Sequence, residues 1–249
     1  MIKKNFYKSG IITGCSKGIG LSITTFLLKK NYKVFGIGRK VNKEIQSLKK
    51  KYENFFFFEQ DISKILDTEK LIKKILSSDH KLSFLINNAA LRSRLSVDKI
   101  NSDDANKLYM NNYFSHFNIT KNFIISTNPK LKRSIVMLGS IVGSRGFSNL
   151  ANYSFTKGAI ESLTKSIAYE YAKKNIRCNC VSPGFIKTSY FNNFKLKKKK
   201  LYDWTLSRIP MGRWGDSNEV APLVELLISE KGSYITGTTI FVDGGWTAS

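Results

Sequence analysis

Of 249 residues only three are cysteine, four are proline, two are histidine and 18 are acidic, against 41 lysines and arginines. Each scarcity removes a class of protein. Cys15, Cys178 and Cys180 are an odd number that cannot close a disulfide framework, and the two histidines, His80 and His116, lie far from them in sequence. Cys178 and Cys180 have the spacing of two ligands on one strand face, but no second Cys/His pair completes a zinc site, so no metal is expected and the thiols read as buried. No apolar run approaches the roughly 20 residues that span a bilayer. The start, MIKKNFYKSGIITG, passes from lysines into a strand-like segment with neither a secretory h-region nor a small-residue cleavage site. The expectation is a soluble, cytoplasmic chain with no membrane partner. With so few prolines and no low-complexity linker, residues 1–249 read as a single domain, near the upper end of what one core holds.

The shortage of acid leaves a formal net charge of +23 at pH 7, which raises the question of a nucleic-acid partner. Only eight of the 41 basic residues are arginine, the lysines run from Lys3 to Lys231, and the chain is also crowded with Asn, Ile and Phe. Readers of base edges lean on arginine. The charge therefore reads as compositional drift, and no nucleic acid is expected. The densest run is KLKKKK at 195–200.

What is present is an alternation. Short apolar runs, SGIITG, YKVFGIG, NFFFFEQ, LSFLINNAA, SIVMLGS, IRCNCVSPG and TTIFVDGG, are separated by helix-length amphipathic segments. Continuous apolar strands alternating with helices predict an α/β domain, a doubly wound parallel seven-stranded sheet with helices on both faces. The least regular stretch is 187–215, and its length predicts a loop with functional duties at about 187–210. Five lysines in the six residues of KLKKKK should repel one another and resist ordering until an anion or cofactor arrives, unless Leu196 and Leu201 mark a regular basic surface helix instead.

The first strand ends in TGCSKGIG, with Gly14, Gly18 and Gly20 ahead of a helical pattern. Glycines at a strand-to-helix turn let backbone N–H groups approach a pyrophosphate. At the end of the second strand, Gly38-Arg39 stands where an NAD-preferring protein carries an acid for the ribose 2′-OH. Arg39, with Lys17 in the glycine turn, can instead pair with a 2′-phosphate, which favours NADP. Asp61 can accept from an adenine amino group, and Asn87-Asn88 closes the fourth strand. Further on, NYSFTK places Tyr153 and Lys157 four apart on one face of a predicted helix, so that both can act on one atom.

Taken in order, TGCSKGIG, Asp61, NNAA, Asn112, Ser140, Tyr153-x3-Lys157 and PGFIKT resemble the classical branch of the short-chain dehydrogenase/reductase family. The resemblance covers essentially the whole chain, with NNAA where the family usually has NNAG and Gly139-Ser140 where a serine pair is frequent. It implies a Rossmann-fold oxidoreductase using NADP(H) between a carbonyl and a secondary alcohol. It also implies Ser140, Tyr153 and Lys157 as catalytic and Asn112 as a fourth member, anchoring a water that links Lys157 to solvent. An ammonium close to a phenol and the positive ring of the oxidised cofactor both favour the phenolate, so Tyr153 would exchange a proton with the substrate oxygen that Ser140 holds. The cofactor contacts it implies are Gly14, Ser16, Lys17, Gly18, Ile19, Gly20, Arg39, Asp61, Ile62, Asn88, Ala89, Tyr153, Lys157, Pro183, Gly184, Ile186 and Thr188.

Within the family, GSIVG, ANYS-x2-K, SPGFIKT, IPMGRWG and SYITGTT look most like 3-oxoacyl-[acyl-carrier-protein] reductases, which implies an acyl carrier protein as partner, with Lys174 as a contact, and fatty acid biosynthesis. Sugar, steroid and polyol dehydrogenases share these segments, so a sugar, polyol or other small keto compound stays open as substrate. A homotetramer is implied too, with Phe155, Ile160 and Leu163 available on the helix that follows Tyr153. A non-catalytic NADP-binding regulator on the same fold is disfavoured because all four catalytic positions are filled.

Overall fold

The computed structural model describes residues 7–126, 128–188 and 191–248. In chain order the elements are β1 (Ser9–Thr13), α1 (Gly18–Lys29), β2 (Lys33–Gly38), α2 (Lys43–Lys51), β3 (Phe55–Glu59), α3 (Ile65–Ser78), β4 (Leu82–Asn87), α4 (Ser102–Tyr109), α5 (Ser115–Ser126), β5 (Arg133–Leu138), α6 (Ala151–Tyr171), β6 (Ile176–Pro183), β7 (Ile186–Lys187), α7 (Phe191–Lys197), α8 (Lys199–Arg208), β8 (Gly215–Asp216), α9 (Ala221–Ile228) and β9 (Thr239–Val242). Seven strands form one sheet in the order β3-β2-β1-β4-β5-β6-β9. Every neighbouring pair in it is parallel. The seven expected strands are the seven of this sheet, and the short β7 and β8 pair separately beside it.

Burial explains why these runs are strands. β1, β4 and β5 are buried at every residue, because helices cover both faces and a strand between two layers needs no polar side. On one face Ile23 and Leu27 of α1, Ile45 and Leu48 of α2 and Val224 and Leu227 of α9 pack with Ile12, Val34 and Phe84. On the other, Ile72 and Ile75 of α3, Ile119 and Phe123 of α5 and Ile160 and Ile167 of α6 pack with Ile11, Leu85 and Ile135. Ile160 is thus core, fully buried, and does not offer the partner-facing surface expected of it; on α6 that exposure belongs to Phe155 and Tyr169. Cys15, Cys178 and Cys180 are free and buried. Burial raises their thiols, to about 12 for Cys15 and about 11 for Cys180.

The order reverses between β1 and β4, so the chain leaves their C-terminal ends in opposite directions. A crevice opens there, the place where such sheets bind ligands. Beyond the same end of the sheet lies a third cluster, in which Val142, Phe194, Ile209, Trp214 and Trp246 gather Phe147, Tyr153, Phe185, Phe191 and Tyr202 around them.

This cluster bears on the segment read either as a loop ordered by an anion or cofactor or as a basic surface helix. Past Lys187 the described residues form two helices, α7 and α8. The lysines at 195 and 197–200 are exposed, as is Leu196, while Phe194 is buried. Trp214 holds the pair down, its ring centroid 5.1 Å from Phe191, 5.2 Å from Phe194 and 5.7 Å from Tyr202. Its indole N–H donates to Thr205 Oγ1 at 2.7 Å in a buried bond. Like-charge repulsion among solvated lysines is screened and small, whereas buried aromatic area is not. Thr205→Val keeps the shape and strands that N–H, a cost of about 1–3 kcal/mol. Thermal unfolding should fall by about 2–4 °C for each kcal/mol; an unchanged midpoint would contradict this anchoring.

Candidate functional site

The glycine turn follows β1. Gly14 has φ of +68°, and a Cβ there would lie 2.7 Å from Ala89 Cα, while a Cβ on Gly20 would lie 2.2 Å from Gly14 O. Only glycine permits that approach. Asn88 fastens the turn, its Nδ2 donating to Thr13 O and Gly14 O, each at 3.0 Å. Thr13 Oγ1 accepts in return from the N–H groups of Asn88 and Ala89, at 3.0 and 3.1 Å. The ends of β1 and β4 are therefore locked as one unit. Thr13 opens the quoted TGCSKGIG, but no local pattern singles it out.

Around this turn stand the other expected cofactor contacts. The first turn of α1 carries no acid, and Lys17 occupies its N-cap in extended conformation. The positive helix end is not neutralised by the chain itself. Asn42 Nδ2 donates to Ser16 O at 2.8 Å, tying the loop after β2 to the glycine turn. Arg39, in that loop, is exposed, as is Lys17. Asp61 Oδ1 accepts from the N–H and O–H of Ser63, which orients the carboxylate; Ile62 beside it is mostly core. From the far side Thr188 reaches over Gly18, its Cγ2 3.4 Å from where a Cβ would be, so the Pro183–Thr188 turn, with Gly184 and Ile186, meets the start of α1 next to Ile19. A bare cationic helix end, a glycine cradle and exposed Arg39 and Lys17 fit a dinucleotide with a 2′-phosphate.

The second group lies across the crevice. Lys157 is only 2% exposed, and its Nζ donates to Leu138 O, the last carbonyl of β5, at 2.6 Å. The same nitrogen lies 5.8 Å from the centroid of the half-buried Tyr153 ring. Ser140 sits two residues past Leu138 and caps a short turn, its Oγ accepting from Val142 N–H at 3.4 Å. The glycine before it has a packing reason: a Cβ on Gly139 would fall 2.4 Å from Ser182 Oγ and 2.6 Å from Cys180 Sγ on β6. A serine pair would fit there only if those two β6 side chains shifted.

Asn112 lies in a single π-helical turn, Met110–Phe114, between α4 and α5. It is fully buried. Its Oδ1 accepts from Leu91 N–H at 2.7 Å, and its Nδ2 donates to Leu91 O at 2.8 Å and to Thr156 Oγ1 at 3.2 Å. Asn112 thereby joins the loop after β4 to α6 between Tyr153 and Lys157. π turns recur where a helix must re-aim one side chain. Ser140, Tyr153, Lys157 and Asn112 thus stand together, while Lys174 does not join them. It follows the C-terminal end of α6, about 27 Å along the helix axis from Tyr153 at 1.5 Å per residue, and its carbonyl accepts from Arg133 near the opposite end of the sheet. α7 and α8, which carry exposed lysines at 195 and 197–200, pack into the same cluster as Tyr153.

Residues 14–247 match the family model described as enoyl-(acyl carrier protein) reductase. The 3-oxoacyl-[acyl-carrier-protein] reductase of Buchnera aphidicola subsp. Schizaphis graminum is 36% identical over 243 residues, covering 96% of each chain. A tropinone reductase homolog of Arabidopsis thaliana is 34% identical over 250 residues, 97% of this chain and 93% of its own. Among solved structures, ElxO with NADP bound superposes with a TM-score of 0.88 at 30% identity, over 97% of this chain and 99% of that one. With a seven-stranded parallel sheet, a glycine turn at its switch point and a Tyr-x3-Lys helix matched end to end, the chain belongs to the short-chain dehydrogenase/reductase family.

Proposed function

We propose that this chain is an NADP(H)-dependent reductase that interconverts a carbonyl and a secondary alcohol, and that its substrate is a 3-oxoacyl group on an acyl carrier protein. One observation carries the chemistry: a buried Lys157 ammonium, pinned to Leu138 O, beside the Tyr153 ring at the mouth of the crevice. The bound cofactor supplies the hydride. Tyr153 gives its proton to the substrate oxygen in reduction and takes it back in oxidation, with the fixed Lys157 cation beside it. Ser140 hydrogen-bonds the same oxygen from the end of β5. Asn112 keeps α6 and the loop after β4 in register around it, and Arg39 with Lys17 takes the 2′-phosphate.

The carrier reading draws on the 3-oxoacyl-[acyl-carrier-protein] reductase relative and on the exposed lysines of α7 and α8, the helices packed into the Tyr153 cluster; such lysines suit an acidic partner. The tropinone reductase homolog, nearly as similar, favours the second reading, a small keto compound such as a ketone, sugar or polyol. Assembly follows the family as a homotetramer. Phe155 and Tyr169 on α6 and Phe117 on α5 are exposed at 60%, 93% and 39%, and the two on α6, fourteen residues apart, share a helix face. Light scattering at micromolar concentration should give four chains; a monomer would contradict this.

The reaction is tested by assaying the purified chain with NADPH and with NADH against an acetoacetyl thioester, keto sugars and small ketones. NADPH should be preferred at least about tenfold, since a charge-assisted pair is worth about 1.5–3 kcal/mol, and Arg39→Asp should reverse the order. Equal use of both cofactors by the unaltered chain would defeat the assignment of Arg39 and Lys17. Turnover of a ketone or sugar, with none of the thioester, would replace the carrier reading by the second.

A further inference from the structure

His116 stands in the first turn of α5, four residues after Asn112, and is 1% exposed. The ring faces the backbone of Ala89, yet neither nitrogen completes a well-formed hydrogen bond within the described chain. A fully buried imidazole has two nitrogens to satisfy, and the Ala89 backbone can serve only one of them, so the other calls for an occupant. A second buried atom nearby shares the deficit. Asn87 Nδ2 donates to Thr120 Oγ1, one turn beyond His116 on the same helix, while Asn87 Oδ1 has no partner. No local pattern marks this. A lone histidine, remote from every cysteine, offered no motif.

The Asn112–Thr156 bond ties the π turn just before His116 to α6 at the residue next to Lys157. Burial first, and the Lys157 charge second, push the imidazole down to about 3. Among the described residues Lys157 is the ionisable group whose charge reaches the ring; Glu161, one turn further along α6, turns to Ser182 Oγ at 3.0 Å. His116 is therefore neutral at any working pH, with one N–H and one lone pair. Lys157 has three N–H groups, of which Leu138 O takes one. A buried ammonium needs further acceptors, and a neutral imidazole is one that cannot turn cationic beside it.

We propose that His116 is a positioning residue for Lys157: one buried water accepts from the Lys157 ammonium, donates to an imidazole nitrogen and holds the ammonium in place beneath the Tyr153 ring. A water with two to four polar partners is the ordinary occupant of such a site. The water sits on the core side of Lys157, leaving the ammonium's crevice side to the cofactor. This rests on the roles given to Tyr153 and Lys157 above. Its consequence is electrostatic. An ammonium steadied from behind acts on the reacting oxygen at one fixed distance, which one free to swing away does not.

The test compares His116→Leu, which removes the lone pair, with His116→Gln, which restores an acceptor, in NADP-dependent oxidation of 3-hydroxybutyryl-N-acetylcysteamine from pH 5 to 10. His116→Leu should raise the pH of half-maximal rate by about 0.5–1 unit and lower kcat about three- to tenfold with KM unchanged. His116→Gln should return both toward the unaltered values. A His116→Leu enzyme with the unaltered pH profile and kcat, and only a lower unfolding temperature, would overturn the proposal. Should His116→Leu fail to fold, or the thioester not turn over, imidazole 15N resonances of the folded chain decide. Only His80 must be told apart, and Lys157→Met should displace the acceptor-nitrogen signal of a ring that stays neutral throughout; an unmoved signal overturns the proposal. Full activity of Lys157→Met would instead sink the underlying reading of the site, whatever His116 does.

Discussion

One hydrogen bond organises the candidate site, the 2.6 Å contact from Lys157 Nζ to Leu138 O. Placing an ammonium where only 2% of its residue meets solvent is expensive, and a bond to a strand carbonyl offsets part of that cost. It also fixes geometry. Leu138 ends β5, so the bond sets α6 at one depth along the sheet, and Tyr153, one turn earlier, then stands at the crevice with Ser140 two residues past the accepting carbonyl. Asn112 closes the arrangement from the other side through Leu91 and Thr156. Loosening the lysine would disturb every distance among the four.

The other half of the crevice is organised without buried charge. Thr13, Gly14, Asn88 and Ala89 lock the ends of β1 and β4 together by four hydrogen bonds, all of them independent of any ligand. A pyrophosphate-binding turn that is already rigid loses little conformational entropy on binding. The two halves meet at the switch point of the strand order, so the fold brings a nucleotide cradle and a proton-transfer group to one opening.

Much of this was legible in the sequence because it depends on short-range pattern. Strands buried on both faces are apolar throughout, and glycine turns and the Tyr-x3-Lys spacing are local. What could not be read depends on tertiary packing. The lysine-rich stretch argued for disorder by its own charge and for a surface helix by the spacing of Leu196 and Leu201; what favours the helices is Trp214, fourteen or more residues later, packing on Phe194 and bonded to Thr205. Ile160 lay on the apolar stripe of a helix, and periodicity alone does not say whether such a residue meets its own sheet or a partner. Lys174, close to the catalytic helix in sequence, lies at the end of α6 remote from Tyr153. Gly139, read as a departure from a serine pair, is explained by β6 side chains more than 40 residues on. The π turn and the buried His116 left no sequence signature.

The central claim is that Tyr153, set beside a buried lysine, carries the proton transfer. Single-turnover oxidation of NADPH by Tyr153→Phe, paired with cofactor binding measured by nicotinamide fluorescence, tests it most directly. The account predicts binding within about twofold of the unaltered chain and a chemical step slowed by roughly 10²- to 10⁴-fold, the range of general acid–base catalysis. A Tyr153→Phe chain that oxidises NADPH at the unaltered rate on the same carbonyl substrate would contradict it.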